Sequence, residues 1–279
     1  MTKKFRIGVV APGTRIDQAL AERVKGFAAD SFLDRSPEIV FHSQCFLSAG
    51  HFAGDDAARA AAFVEFANDA SFDAIWFARG GYGACRMAEA GLAQLNDAAR
   101  AKTYLGYSDA GALLGGLYAR GFANVAHGPM PVDIMRPGGE AAVRRALSWL
   151  IERASEAVEL GVMFDDRSAA FNIKVLSSIL GTPLEPDLTG HVLMLEDVHE
   201  YLYSIDRSLF HITSSPNIRQ VRGIKLGRLS DVPENDKPFG VGEEEMIKYW
   251  CARAGIAYLG RADIGHDVEN KVVPFGAGK

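Results

Sequence analysis

Phe72-Asp73-Ala74-Ile75-Trp76-Phe77-Ala78-Arg79-Gly80-Gly81-Tyr82-Gly83 is an apolar run that stops abruptly at a cluster of glycines. A short apolar run bounded by glycine predicts a buried strand with a tight turn at its carboxyl end. The unit recurs to either side. Residues 5–11 end at Pro12-Gly13-Thr14, and residues 103–107 end at Ser108-Asp109. Ile39-Val40-Phe41 and Val125-Ala126-His127 read as further strands. Between them, Ile16, Leu20, Val24 and Phe27 share helical spacing, and residues 55–70, 84–92 and 110–119 read as helices. Alternating strands and helices predict an α/β fold, a mostly parallel sheet flanked by helices, with a site at the carboxyl ends of the strands.

The texture changes further along. Pro137-Gly138-Gly139 breaks the chain before an Ala-, Arg- and Glu-rich helix. Beyond residue 170, strand-like runs at 191–195 and 223–226 flank an amphipathic helix with Leu202, Ile205, Leu209 and Ile212 on one face. This predicts an N-terminal domain over 1–135, a helix-bearing linker over 136–167, and a smaller, β-rich α/β domain over 168–279.

A formal net charge of -5 argues against nucleic acid as the main partner, which would need a basic surface. The first apolar run is cut by Pro12-Gly13, too short for a signal peptide, and no stretch reaches the roughly 18 residues of a membrane span. Cys45, Cys85 and Cys251 are scattered without metal spacing, so they read as core packing in a reduced, cytoplasmic protein. No metal or cofactor is expected.

Ser108 stands at a predicted strand-to-helix junction, where a hydroxyl is held clear of the backbone and the next N–H, that of Asp109, faces a developing oxyanion. A Ser-Asp helix cap fits the same four residues, and Ala110 replaces the second glycine of a hydrolase elbow. The glycine turn offers Gly81 as a second oxyanion donor or is simply a tight turn; it lacks a phosphate-loop pattern. Glu196 ends the apolar run 192–195, with Asp197 and Glu200 as competing carboxylates, and His266 lies in a polar turn. A weakly acidic hydroxyl, an imidazole to take its proton and a carboxylate to fix the imidazole satisfy the needs of acyl transfer.

The ordered set Ala78-Arg79-Gly80-Gly81-Tyr82-Gly83, Gly106-Tyr107-Ser108-Asp109, His127-Gly128-Pro129, Leu195-Glu196-Asp197-Val198 and Gly265-His266 resembles the LD-carboxypeptidases, a family of serine peptidases. Ala53-Gly54-Asp55-Asp56, Gly181-Thr182-Pro183, Tyr203-Ser204-Ile205-Asp206-Arg207 and Pro274-Phe275-Gly276 extend the resemblance over nearly the whole chain. It implies a metal-free, cytoplasmic homodimer that releases terminal D-alanine from muropeptide tetrapeptides in peptidoglycan recycling. The catalytic residues would be Ser108, Glu196 (Glu200 second) and His266, with the Asp109 and Gly81 N–H groups as oxyanion hole. Phe171 before Asn172, Pro12-Gly13-Thr14 and His199 depart from the usual family pattern and bear on the substrate pocket. Competing expectations are a microcin-immunity-type hydrolase of peptide-nucleotides or acyl-sulfamoyl adenylates, with Tyr82, Tyr107, Trp76 or Trp250 as an aromatic platform, and a non-catalytic muropeptide binder.

Overall fold

A computed structural model describes residues 4–160 and 167–277. Residues 161–166 of the expected linker, and the first three and last two residues of the expected domains, lie outside this range. In chain order the first part comprises β1 (Arg6–Val10), α1 (Gln18–Ser31), β2 (Glu38–Phe41), α2 (Asp56–Asn68), β3 (Ala74–Phe77), α3 (Ala84–Leu92), α4 (Asp97–Arg100), β4 (Thr103–Gly106), α5 (Gly111–Ala119), β5 (Val125–His127) and α6 (Gly139–Glu152). The rest comprises β6 (Arg167–Asn172), α7 (Ile173–Ile179), β7 (Val192–Val198), α8 (Leu202–Ser214), β8 (Gly223–Ser230), α9 (Glu243–Ala254), β9 (Tyr258–Arg261), β10 (Val273–Pro274) and β11 (Gly276–Ala277).

The first sheet has six strands in the order β10-β5-β4-β3-β1-β2, all parallel except β10. β3 and β4 are buried along their whole length, as expected for central strands covered on both faces. Ile75 and Phe77 join one core with Phe63, Met87 and Leu113, while Ala74 and Trp76 join the opposite core with Val24 and Leu147. Four helices, α1, α2, α4 and α7, start where Asp17, Asp55, Asn96 and Asn172 supply a side-chain acceptor. Asp17 Oδ1 accepts from Leu20 N–H and Asp55 Oδ1 from Ala58 N–H, both at 2.7 Å, which satisfies otherwise orphaned first-turn donors.

The second sheet, β11-β6-β7-β8-β9, has four parallel strands and the antiparallel β11 at one edge. The chain end links the sheets: Val273 pairs with His127 in the first, and Gly276 with Ser168 in the second. A Cβ at Gly115 of α5 would lie 2.8 Å from Ile179 of α7, so a side chain there would wedge apart the helices that follow Ser108 and Asn172.

The strand at residues 72–78 contracts to β3, and the apolar run 192–195 extends to Val198. Seven elements had no counterpart in the sequence reading: α4, β6, α7, α9, β9, β10 and β11. β6 (RSAAFN) lacks β-branched residues, α7 follows it without a turn, and α9 buries only Met246, Ile247 and Cys251.

Candidate active site

β4 ends at Gly106, and Tyr107 is still extended, with φ -154°. Ser108 then takes φ +58°, a left-handed conformation that costs a non-glycine residue roughly 1–2 kcal/mol. The chain turns at once into the α5 helix. A Cβ at Gly106 would lie 3.2 Å from Ala110 Cβ. Glycine at 106 therefore leaves space for alanine at 110, which explains why the second glycine of the hydrolase elbow is dispensable. The hydroxyl is not a helix cap: among the described residues no helix N–H bonds to the Ser108 side chain.

The glycine turn lies against this elbow. A Cβ on Gly80 would sit 2.7 Å from Ser108 Oγ and 3.6 Å from Asp109 N. Gly81 has φ +105°, and a Cβ there would meet Thr14 Oγ1 at 2.6 Å; Thr14 Oγ1 in turn donates to Gly80 O at 3.1 Å. Asp109 turns inward, its Oδ2 accepting from Ala84 N–H at 2.9 Å. Burial pushes its carboxyl up to about 6, against the N–H groups of Ala84 and Gly83, which favour the charged form.

Glu196 lies on β7 of the second sheet and His266 in the loop that follows β9. His266 Nδ1 and Glu196 Oε2 are 2.6 Å apart, in a pair that is almost wholly buried. Because a carboxylate only accepts, Nδ1 carries the proton and Nε2 the lone pair. Burial works against the imidazolium, but the charge of Glu196 and the hydrogen bond to it, helped by Asp133 and Asp197, hold the His266 pKa above 6.5. Nε2 is buried without a hydrogen-bond partner among the described residues. The His266 ring packs on Tyr107 with centroids 4.7 Å apart, so the imidazole touches the residue that precedes Ser108. The Glu–His half of the expected relay is made; the Ser–His hydrogen bond is not. Such bonds are often open before substrate binds.

The competing carboxylates do other work. Asp197 Oδ1 accepts from Asn172 Nδ2 and its Oδ2 from Lys174 N–H, at 2.8 and 3.1 Å. Glu200 Oε2 accepts from Ser204 Oγ at 2.6 Å. Neither bonds to His266.

Two supporting residues, Arg228 and Asn270, gave no signal in the sequence. The Arg228 guanidinium grips the histidine loop, donating to Asp263 Oδ1 at 2.5 Å and to Asp267 Oδ1 at 2.8 Å. Asn270 Oδ1 accepts from Gly265 N–H at 3.2 Å and faces His127 Nε2 at 3.1 Å. Tyr107 donates to buried Asp133 at 2.8 Å. A lone arginine in a strand looks like any solvated charge until the loop opposite it is known.

A cavity of about 240 Å³ opens at Ser108 and Asp109, lined also by Tyr82, Asn172, Lys174 and Glu200. Tyr82 is half exposed, whereas Trp76 and Tyr107 are core residues. Cys85, expected in the core, is instead exposed on α3 beside this cavity, while Cys45 and Cys251 are buried. Among the described residues no cluster of potential ligands suits a metal, and no helix is long and apolar enough to cross a membrane.

A serine at a strand-to-helix turn and a buried Glu–His pair packed on the preceding Tyr107 sit in a two-sheet α/β fold, and the family matched by both halves of the chain makes it a hydrolase. Residues 7–128 match the LD-carboxypeptidase N-terminal domain and residues 168–278 the LD-carboxypeptidase C-terminal domain, so the chain belongs to the LD-carboxypeptidase family. It is 29% identical to the murein tetrapeptide carboxypeptidase of Pseudomonas aeruginosa, over 73% of this chain and 70% of that protein. A Streptomyces coelicolor protein named as a candidate carboxypeptidase is 31% identical, over 80% of this chain and 74% of its own. The muramoyltetrapeptide carboxypeptidase of Oxalobacter formigenes shares the fold with TM-score 0.79 and 22% identity, over 96% of this chain and 93% of that one. The microcin C7 self-immunity protein MccF superposes nearly as well, with TM-score 0.77 and 19% identity, over 99% of this chain and 92% of its own. Overall shape therefore does not separate these two kinds of neighbour.

Proposed function

We propose that this protein is a serine LD-carboxypeptidase that releases terminal D-alanine from a muropeptide tetrapeptide, acting as a cytoplasmic homodimer in peptidoglycan recycling. The observation that carries the reading is the buried Glu196–His266 pair, with a protonated Nδ1 and an unused Nε2, packed against the neighbour of a conformationally strained serine. In this reading residues 1–135 form a nucleophile domain and residues 168–279 carry the acid and the base, joined through 136–167.

Ser108 Oγ attacks the carbonyl carbon of the L,D-peptide bond while His266 Nε2 takes its proton. The N–H groups of Asp109 and Gly81 receive the oxyanion, on the side where Gly80, having no side chain, leaves room beside the hydroxyl. The C–N bond then breaks, the His266 proton passes to the leaving D-alanine amine, and an ester remains on Ser108. Water, deprotonated by the same histidine, cleaves the ester. Glu196 keeps the imidazole in the required tautomer and offsets its charge.

Mass spectrometry of a defined tetrapeptide tests this reading. Wild-type protein should release D-alanine, and Ser108→Ala should lower the rate by about 10³-fold or more. Release by Ser108→Ala at the wild-type rate would end the proposal. One observation supports a second reading, hydrolysis of a peptide-nucleotide or acyl-sulfamoyl adenylate: half-exposed Tyr82 lines the cavity and offers a face for a base. Assaying both substrates side by side separates the two. Tight muropeptide binding without turnover would instead indicate a binder.

A further inference from the structure

An enzyme that removes only a terminal residue must recognise the free carboxylate beside the scissile bond. A carboxylate drawn from water into a cleft needs a charged or hydrogen-bonding partner. Among the described residues, the cavity that opens at Ser108 has one cationic side chain in its lining, Lys174, on the first turn of α7. Its other ionisable carboxyls are accounted for: Asp109 is held by Ala84 N–H, Asp197 by Asn172 and Lys174 N–H, and Glu200 by Ser204.

Lys174 is held in place by its neighbours. Its Nζ donates to Ser204 Oγ at 3.1 Å, and the same hydroxyl donates to Glu200 Oε2 at 2.6 Å. A hydroxyl has one proton. Glu200 takes it, so a Ser204 lone pair faces the ammonium. One of the three Nζ donors is thereby used among the described residues, and the others remain for a ligand. The backbone of Lys174 is fixed separately through its N–H to Asp197 Oδ2, so its side chain can be replaced without disturbing the start of α7.

Resting on the carboxypeptidase reading above, we infer that Lys174, held by the Ser204–Glu200 hydrogen bonds, is the receptor for the α-carboxylate of the departing residue. Glu200, a competitor for the catalytic carboxylate in the sequence, thus acts through Lys174 as a positioning residue. A hydrogen-bonded charge pair of this kind makes binding of the acid about 10- to 100-fold tighter than that of a neutral isostere.

The test compares a muropeptide-type tetrapeptide ending in free D-alanine with the same peptide ending in D-alanine amide. Binding of each is measured by calorimetry on Ser108→Ala protein, with and without Lys174→Met or Lys174→Arg, and turnover of each is followed on the Ser108 protein. The inference expects a preference for the acid of about tenfold or more, lost in Lys174→Met and largely restored in Lys174→Arg. With turnover, the loss should fall on KM for the acid and spare the amide. Equal binding of acid and amide, binding of neither, or a preference that survives Lys174→Met would overturn it. Because binding is read without turnover, failure of the assigned chemistry would show separately, as an acid preference without D-alanine release.

Discussion

His266 Nδ1 lies 2.6 Å from Glu196 Oε2, in a pair with almost no solvent contact, although 70 residues separate the two in the chain. Glutamine at 196 would keep the shape, but its amide NH₂ could face Nδ1 and favour the wrong tautomer. Glu196→Gln should therefore lower kcat by about 10³–10⁴-fold while substrate binding changes little. Steady-state D-alanine release checks this, and a loss below tenfold would remove Glu196 from the mechanism.

The pH profile should carry the mark of the same pair. Only neutral His266 can accept the serine proton, so kcat/KM should rise with pH along a limb centred above 6.5, the direction in which Glu196 shifts the group despite its burial. The stability sign is opposite. A folded pKa raised above the unfolded value stabilises fully below about 6.5 and loses that contribution as pH climbs through the folded value. Thermal melts from pH 6 upward should show wild type losing stability relative to His266→Gln; parallel curves would contradict the linkage.

Ser108 at φ +58° separates catalysis from stability. Ser108→Ala and Ser108→Gly should both be inactive, yet the glycine variant should be the more stable by about 1 kcal/mol, because alanine keeps the left-handed strain that glycine relieves. Urea unfolding of the pair decides it. Equal midpoints would show that the elbow stores little strain.

Arg228 holds both Asp263 and Asp267, which flank His266. Arg228→Met should lower kcat by about 10²-fold through displacement of the imidazole. As a partly exposed cluster, it should change the melting temperature little. Collapse of the fold, or unchanged kcat, would argue against a positioning role.

Gly227 lies beneath the site on β8. A Cβ there would fall 2.7 Å from Ile264 Cγ1 and 2.9 Å from Glu196 Cβ. Gly227→Ala should cost about 1–3 kcal/mol of stability by overpacking and reduce activity together with it. Retention of both would mean that β8 can shift without moving the pair.

The sequence by itself determined the alternation of strand and helix, because a fully covered strand must be apolar and must end where glycine or serine permits a sharp turn. Ser108, Gly81, Glu196 and His266 stood out only as candidates, since each closes an apolar run or occupies a glycine-bearing turn, and it was the ordered set of family motifs that joined them. Local pattern did not reveal which carboxylate meets the histidine. Glu196, Asp197 and Glu200 are near neighbours in the chain, but strand pleating turns adjacent side chains to opposite faces, and the register of β7 with β6 and β8 sends Glu196 to His266 and Asp197 to Asn172. Arg228, Asn270 and Lys174 were invisible because their partners lie across the fold. A charge or amide has no sequence signature until packing decides what stands opposite it.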